Sequence, residues 1–415
     1  MANQVTTLKM EQKFKKTPAG EIPMDWDVVK LGDISIQPEE RFVPVPGDAR
    51  PYIGLEHIGS GTGRLLSTGT STTVSSLKSI FRAGDILFGK LRPNLKKVVM
   101  PPFAGVCSTD IMVIRPKDGF SRSFMFYRLQ SATAFDFAVG TSGGTKMPRT
   151  SWPLFRNYAF PCPHLAEQKK IAEILSTVDD AIEKTRAGIE KSNQLKKGLM
   201  QTLLTRGIGH KKFKKSPAGE IPVEWELLTL GKISEIRRGA SPRPIGDPKF
   251  FGNGRGWVRI ADVTRSTKFL RTTEQQLSHL GEAGSVKVDH GDIIMSICAT
   301  IGKPIIVDME ACIHDGFVLF EKLSPRILKE FLYYFLQWKE NYLAGKGQPG
   351  AQKNLNTTIV GETEIPLPPI SQQKYIAEIL SAVDMEIEKQ ESARIILQRL
   401  KKSLMQVLLT GRLRI

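Results

Sequence analysis

The sequence predicts an α+β protein made of two tandemly repeated units. Each unit is an α+β domain followed by a long helix, and the two helices are expected to pack on each other as an antiparallel coiled coil. Three observations carry this reading. Three motifs recur in the same order, each copy ends in a heptad seam, and the remainder is short β-branched runs broken by Gly and Pro.

The repeat sets the domain count. Residues 14–26, FKKTPAGEIPMDW, return at 213–225 as FKKSPAGEIPVEW, with 10 of 13 positions identical. Residues 167–183, EQKKIAEILSTVDDAIE, return at 372–388 as QQKYIAEILSAVDMEIE, with 12 of 17 identical. LKKGLMQTLLT at 195–205 returns at 400–410 as LKKSLMQVLLT, with 9 of 11 identical. These matches divide the 415 residues into a first domain over 1–160, a helix and linker over 161–210, a second domain over 211–365 and a second helix over 366–415.

The helices follow from spacing. Ile171, Leu175, Val178, Ile182, Ile189, Leu199 and Leu203 fall on one heptad stripe, and Ile376, Leu380, Val383, Ile387, Leu397, Leu404 and Leu408 on the other. No Pro interrupts either stretch. Pro161 and Pro163, and Pro366, Pro368 and Pro369, stand before the starts, and Gly207 and Gly411 follow the ends. The stripe turns polar in its middle, at Thr185, Ser192 and Lys196 and at Gln390, Arg394 and Lys401, where such residues fix register at a cost in stability.

The rest of each copy reads as short strands. They are VVKLGDISI, GDILFGKL, KKVVM and DIMVIRP in the first copy, and LLTLGKISEI, GDIIMSICATIG, KPIIVD and GFVLFEKL in the second. One helix interrupts each set. In the second copy Ser324-Pro325 is the expected start and Gly345 the expected stop; SFMFYRLQSATAFDFAVG takes the same place in the first. The domains resemble each other only in islands, such as Gly84-Asp85-Ile86 with Gly291-Asp292-Ile293, and Asp110 with Asp315. The helices are nearly duplicated while the domains differ, so the domains are expected to contact different things.

Composition narrows the function. Lys and Arg number 59 against 42 Asp and Glu, a formal charge of +17, which suits a polyanionic partner, above all nucleic acid. Cys107, Cys162, Cys298 and Cys312 are scattered and form no CxxC, so a reducing cytoplasm is expected. No apolar run is long enough to span a membrane, and the first 16 residues lack a signal-peptide core.

Catalytic patterns are missing. There is no GxxxxGK[ST], HExxH, GxSxG or strand-borne GxGxxG, and no Asn/Asp-Pro-Pro-aromatic tetrad for adenine methylation. Cys298, Cys312 and His314 lack the paired spacing of a zinc site and read as structural. Glu167 and Lys169 read as a solvated first turn. The chain is expected to be non-catalytic, with no cofactor and no metal.

The cationic loops carry the binding reading. Lys90, Arg92, Asn94, Lys96 and Lys97 follow the GDILFG strand, and Thr145, Lys146 and Arg149 lie in a Gly-rich loop. In the second copy the candidates are Arg237, Arg238, Arg243, Arg255 and Arg259, with Gln348, Gln352, Lys353, Asn354 and Asn356 in the matching Gly-rich loop. Gly permits close approach of backbone to a phosphate. Lys and Arg take phosphates, and Arg, Asn and Gln read base edges through two bonds at once.

In these motifs the chain resembles the specificity subunits of type I restriction-modification systems. The resemblance rests on FKKxPAGEIP, GDILFGKLRPNLKK, the Gly-rich loop and the PxPxxxxQxxIAEIL openings at Pro161–Leu175 and Pro366–Leu380, and it spans nearly the whole chain. It implies two target-recognition domains reading an asymmetric bipartite site in double-stranded DNA. It implies that the helices space them, that separate modification subunits methylate adenine, and that separate restriction subunits translocate and cleave with ATP. A coiled-coil scaffold with non-specific DNA binding is the alternative.

Overall fold

The computed structural model describes residues 13–217, 219–346 and 355–415. The chain forms two compact units, and neither is a continuous stretch of one repeat. The first comprises Met1–Thr185 with Ser392–Ile415, the second Arg186–Glu391. Each therefore contains one domain, the opening half of that domain's own long helix and the closing half of the other copy's.

In both units the entry motif is a tight antiparallel hairpin, Phe14–Thr17 with Gly20–Pro23 and Phe213–Ser216 with Gly219–Pro222. The two-residue turn puts Gly20 and Gly219 at φ +99° and +104°, where a side chain would be strained. The hairpin delivers Trp26 or Trp225 into a fully buried position.

The first domain layers a four-stranded antiparallel sheet on a five-stranded one. The inner sheet runs Val98–Val99, Ile86–Gly89, Ile111–Pro116, Ser35–Ile36. The outer runs Arg41–Phe42, Lys78–Phe81, Gly105–Ser108, Pro51–Ile53, Gly69–Thr70. Strand periodicity explains the continuous apolar runs. Ile86, Phe88, Met112 and Ile114 point to the helical side, while Leu87 and Val113 meet Ile53, Phe81 and Cys107 of the outer sheet. The second domain repeats this, with Ile293, Met295, Val318 and Phe320 on the helical side and Ile294, Phe317 and Leu319 on the other.

Some expected elements change form. VVKLGDISI and LLTLGKISEI are not single strands, because Leu31–Ile34 and Leu230–Ile233 each make one helical turn that buries the Leu and Ile. The expected single helix of the first domain is two, Arg122–Leu129 and Ala132–Gly140. Gln130 ends the first, and Ser131 caps the second by accepting from Ala134 N. In the second domain the helix runs Lys329–Lys346, so Ser324-Pro325 forms a turn before it and Gly345 lies within it.

The long helices are Leu165–Leu203 and Ile370–Leu408, 39 residues each or about 58 Å. Gly207 and Gly411 follow with φ +63° and +71°. Each opening is tied to its domain by a buried glutamine. Gln168 accepts from Ser121 N at 2.9 Å and donates to Pro163 O at 2.9 Å. Gln373 accepts from Leu328 N and donates to Pro368 O, both at 2.8 Å. The stripe residues do two jobs. Ile171, Leu175 and Leu408 belong to the first domain's core, and Leu203, Ile376 and Leu380 to the second's. Ile182 and Ile189 are buried, whereas Val178, Leu199, Val383, Ile387, Leu397 and Leu404 are only partly so. Glu167 is not solvated: it is buried, accepts from Trp26 Nε1 at 3.0 Å and pairs with Arg414 at 2.7 Å.

The helices run antiparallel within each unit. In the first, Asp179 pairs with Lys401 at 2.7 Å, and the more N-terminal Glu167 reaches the more C-terminal Arg414. In the second, Lys196 pairs with Asp384 at 2.6 Å while the lower-numbered Gly188 approaches the higher-numbered Gln390. Each carboxylate also accepts a domain hydroxyl, Tyr127 to Asp179 at 2.9 Å and Tyr334 to Asp384 at 2.8 Å. The Lys ammonium lies over that Tyr ring, at 5.4 Å for Lys401 and 5.6 Å for Lys196. One Tyr–Asp–Lys arrangement thus appears twice, joining the domain to both helices.

Candidate nucleic-acid interface

In the first unit three segments converge on one surface. The chain leaves the inner strand Ile86–Gly89 and turns at Pro93–Leu95 between Arg92 and Lys96, both in the left-handed region at φ +49° and +52°. Non-glycine residues are held there only when their surroundings insist, a kind of strain that clusters at functional sites. A bridge between Leu91 and Arg149 brings in the Gly-rich loop, and one between Ser60 and Lys97 brings in a third turn. Arg92, Asn94, Lys96, Thr145 and Lys146 are exposed there, and Lys90 is partly so. Arg92 donates across to Lys146 O at 3.4 Å.

Two candidates have internal partners. Lys97 Nζ donates to Leu55 O at 2.5 Å, a bond that braces the loop. Arg149 is exposed but pairs with Asp110, its Nε 2.9 Å from Oδ1, and this bond holds its guanidinium further above its ordinary pKa.

The second unit spreads its cations differently. Arg237 and Arg238 lie on the edge strand Glu235–Arg238, where the two-residue period sends them to opposite faces. Arg237 meets Glu321 at 3.2 Å, and Arg238 Nε donates to Asp315 O at 2.8 Å. Arg243 pairs with Asp315 at 3.4 Å, and Ser241 donates to the same carboxylate at 2.8 Å. Arg255 is partly buried between Asp289 at 2.5 Å and Glu310 at 3.5 Å, and the Asp289 bond raises its pKa. Arg259 is exposed and donates to Gln275 at 3.3 Å. Asn356 is exposed, but its side chain caps the helix Thr357–Gly361 by accepting from Ile359 N. Gln348, Gln352, Lys353 and Asn354 lie outside the described residues.

Sequence reasoning missed the carboxylates that answer these cations: Asp289, Glu310 and Glu321, and the roles of Asp110 and Asp315. Only the last two left a signal, as an aligned island. It also missed Tyr127 and Tyr334, whose partners lie on the long helices. Chemically, the first unit's surface sets exposed ammonium groups, of the kind that take phosphates, beside an exposed amide and a hydroxyl. Among the described residues no three His, Cys, Asp or Glu side chains converge as a metal set.

Known proteins of one family are similar to this chain. The family model described as the type I restriction modification DNA specificity domain matches twice, over residues 23–191 and 222–396. The MjaVIII type I restriction enzyme specificity subunit of Methanocaldococcus jannaschii is 28% identical over 98% of this chain and 97% of its own. The putative MjaX specificity subunit of the same organism is 29% identical over the same shares. Among solved structures, the S subunit of a type I restriction-modification system from M. genitalium aligns with TM-score 0.59 at 13% identity, covering 96% of this chain and 99% of that one. A chain solved in work on assembly and conformational transition of the type I R-M system gives 0.58 at 23% identity, covering 94% and 99%. The structural likenesses show a shared fold. With both copies matched over most of its length, the chain belongs to the type I restriction modification DNA specificity family.

Proposed function

We propose that each unit reads one half of an asymmetric, two-part sequence in double-stranded DNA, and that the chain is a non-catalytic guide. Separate modification subunits methylate adenine at the site, and separate ATP-dependent restriction subunits translocate and cut, in the cytoplasm. One observation carries the reading. Two homologous units each present their own polar and cationic side chains, and these differ residue by residue: Arg92, Asn94, Lys96 and Lys146 in one, Arg238, Arg243 and Arg259 in the other. Duplicated architecture gives two readers, and divergent loops give two different half-sites. The net charge of +17 supports a phosphate-driven encounter that salt weakens.

The mechanism divides contacts by chemistry. Exposed Lys96 and Lys146 suit phosphates, which position the duplex without reading it. Asn94 and the arginines suit base edges in the major groove. The test is to sequence methylated adenines in cells holding this chain and its modification subunits. A gapped, asymmetric motif is expected. A continuous or palindromic motif, or binding that follows salt but ignores sequence, overturns the reading in favour of a scaffold.

A further inference from the structure

We propose that Asp110 is a positioning residue that aims Arg149 at a guanine. The inference rests on the DNA-reading function above and assigns a base to one of its contacts.

The geometry begins with two fixed backbones. Asp110 stands at the foot of the strand Ile111–Pro116; its carbonyl accepts from Lys90 N at 3.0 Å and its amide donates to Ser108 Oγ at 3.2 Å. Arg149 is held in the facing loop by a reciprocal pair of 3.0 Å bonds with Gly143. What remains free is the arginine side chain, whose rotamer entropy opposes any bond it makes. Asp110 removes that freedom. Its Oδ1 accepts from Nε at 2.9 Å and its Oδ2 faces Nη2 at 3.5 Å, so the carboxylate takes the side edge of the guanidinium. The end edge, Nη1 with the outer hydrogen of Nη2, is left with one long 3.4 Å bond from Nη1 to Met147 O. That edge is the donor pair that matches guanine O6 and N7.

Stability is a poor reason for this pair, because exposed ion pairs contribute little. Neutralisation is a poor reason too, on a surface where Arg92, Lys96 and Lys146 stay exposed. The second unit places a carboxylate near the same point without that side-edge clasp. Asp315 precedes the equivalent strand, Phe317–Glu321, and stands within one residue of the same register, since Lys90 N bonds Asp110 O and Ile297 N bonds Gly316 O. Its Oδ1 accepts from Ser241 at 2.8 Å and its Oδ2 from Arg243 Nη2 at 3.4 Å. Arg243 thus meets Asp315 through one end nitrogen, so the clasp that leaves the guanine-matching edge free belongs to Arg149.

The test uses the full chain and duplexes carrying every single base-pair change in the target defined by methylated-site sequencing. Asp110→Asn keeps an acceptor for Arg149 but loses its charge; Arg149→Lys keeps charge but loses the planar edge. Each should relax discrimination at one and the same G·C position, in one half-site, by about 5- to 150-fold, the range for one good bidentate pair. The double variant should be no worse than Arg149→Lys alone. Discrimination in the other half-site should be unchanged, which also reports that the variant is folded. If Asp110→Asn instead raises affinity for all sequences and steepens the salt dependence, the carboxylate only neutralises, and the inference fails. If every position keeps its discrimination, it fails as well. If the wild-type chain itself shows no preference for its target, the specificity reading falls and this inference with it.

Discussion

Removing Lys196 from the second unit should cost far more than a surface charge does. Lys196 and Asp384 sit 2.6 Å apart with side chains 13% and 16% exposed. Breaking a fully buried pair by deleting one partner costs about 3–5 kcal/mol. With this residual exposure, Lys196→Met should cost about 2–3 kcal/mol, because Asp384 is left with the Tyr334 hydroxyl at 2.8 Å and the more distant Lys268 ammonium, which bonds that hydroxyl at 3.2 Å. Asp384→Asn should cost a similar amount. Replacing both removes the stranded charge, so the double variant should cost about 1 kcal/mol, a coupling of at least about 3 kcal/mol. The first unit is an internal replicate. Lys401 is 12% exposed but Asp179 is 30% exposed, so its coupling should be smaller, about 1–1.5 kcal/mol. The assay is urea unfolding followed by circular dichroism, fitted for two transitions if the units melt separately. Raising salt to 0.5 M should change the second unit's coupling less than the first's. A second-unit coupling below about 0.5 kcal/mol, or the reverse ranking, would refute the reasoning.

The loops differ in kind. Lys146→Ala should lower the salt slope of DNA binding by about one while leaving sequence preference intact, whereas Lys97→Ala should lower thermal stability by freeing Leu55 O, as calorimetry would record. Thiol labelling should be selective: burial pushes Cys107 up to about 12 and Cys162 and Cys312 up to about 11, so at pH 8 the half-buried Cys298 should react first and the others only on unfolding. Inserting one heptad after Thr185 and one after Glu391 keeps the stripes in phase and adds about 10 Å to each helix. The methylated motif should then keep both half-sequences with a gap longer by about three base pairs, or be lost; an unchanged gap would remove the helices from spacing.

The repeat, the long helices and the alternating strands were legible because their signals are local. Ile171 to Leu175 and Ile86 to Phe88 are read a few residues at a time, and the structure uses them at the same spacing. What escaped depends on distance along the chain. Glu167 looked solvated because Trp26 and Arg414 lie far away in sequence on either side of it. Lys401 looked like a mere polar interruption, since Asp179 and Tyr127 come from the other copy. The break at Ser131 was hidden because the residues around it are good helix formers, and only the serine's bond to Ala134 N marks a new start. The cations were legible as cations. Which of them are already engaged, as Arg149, Arg243 and Arg255 are, is decided by carboxylates on other strands.

The first unit's borrowed segment reverses the usual order of maturation during synthesis. Domains generally fold as they emerge, N-terminal first. Here Leu408 and Leu409 fill the core around Trp26, and Arg414 closes on Asp25 and Glu167. Those residues leave the ribosome only after the whole second unit, Arg186–Glu391, has been translated. At about 5–20 residues per second that is a wait on the order of tens of seconds. Through that interval the earlier-made domain keeps an open apolar notch, whereas the second unit needs nothing translated after its own Glu391. A chain cut after Glu391 would therefore carry every segment of the second reader but lack part of the first's core.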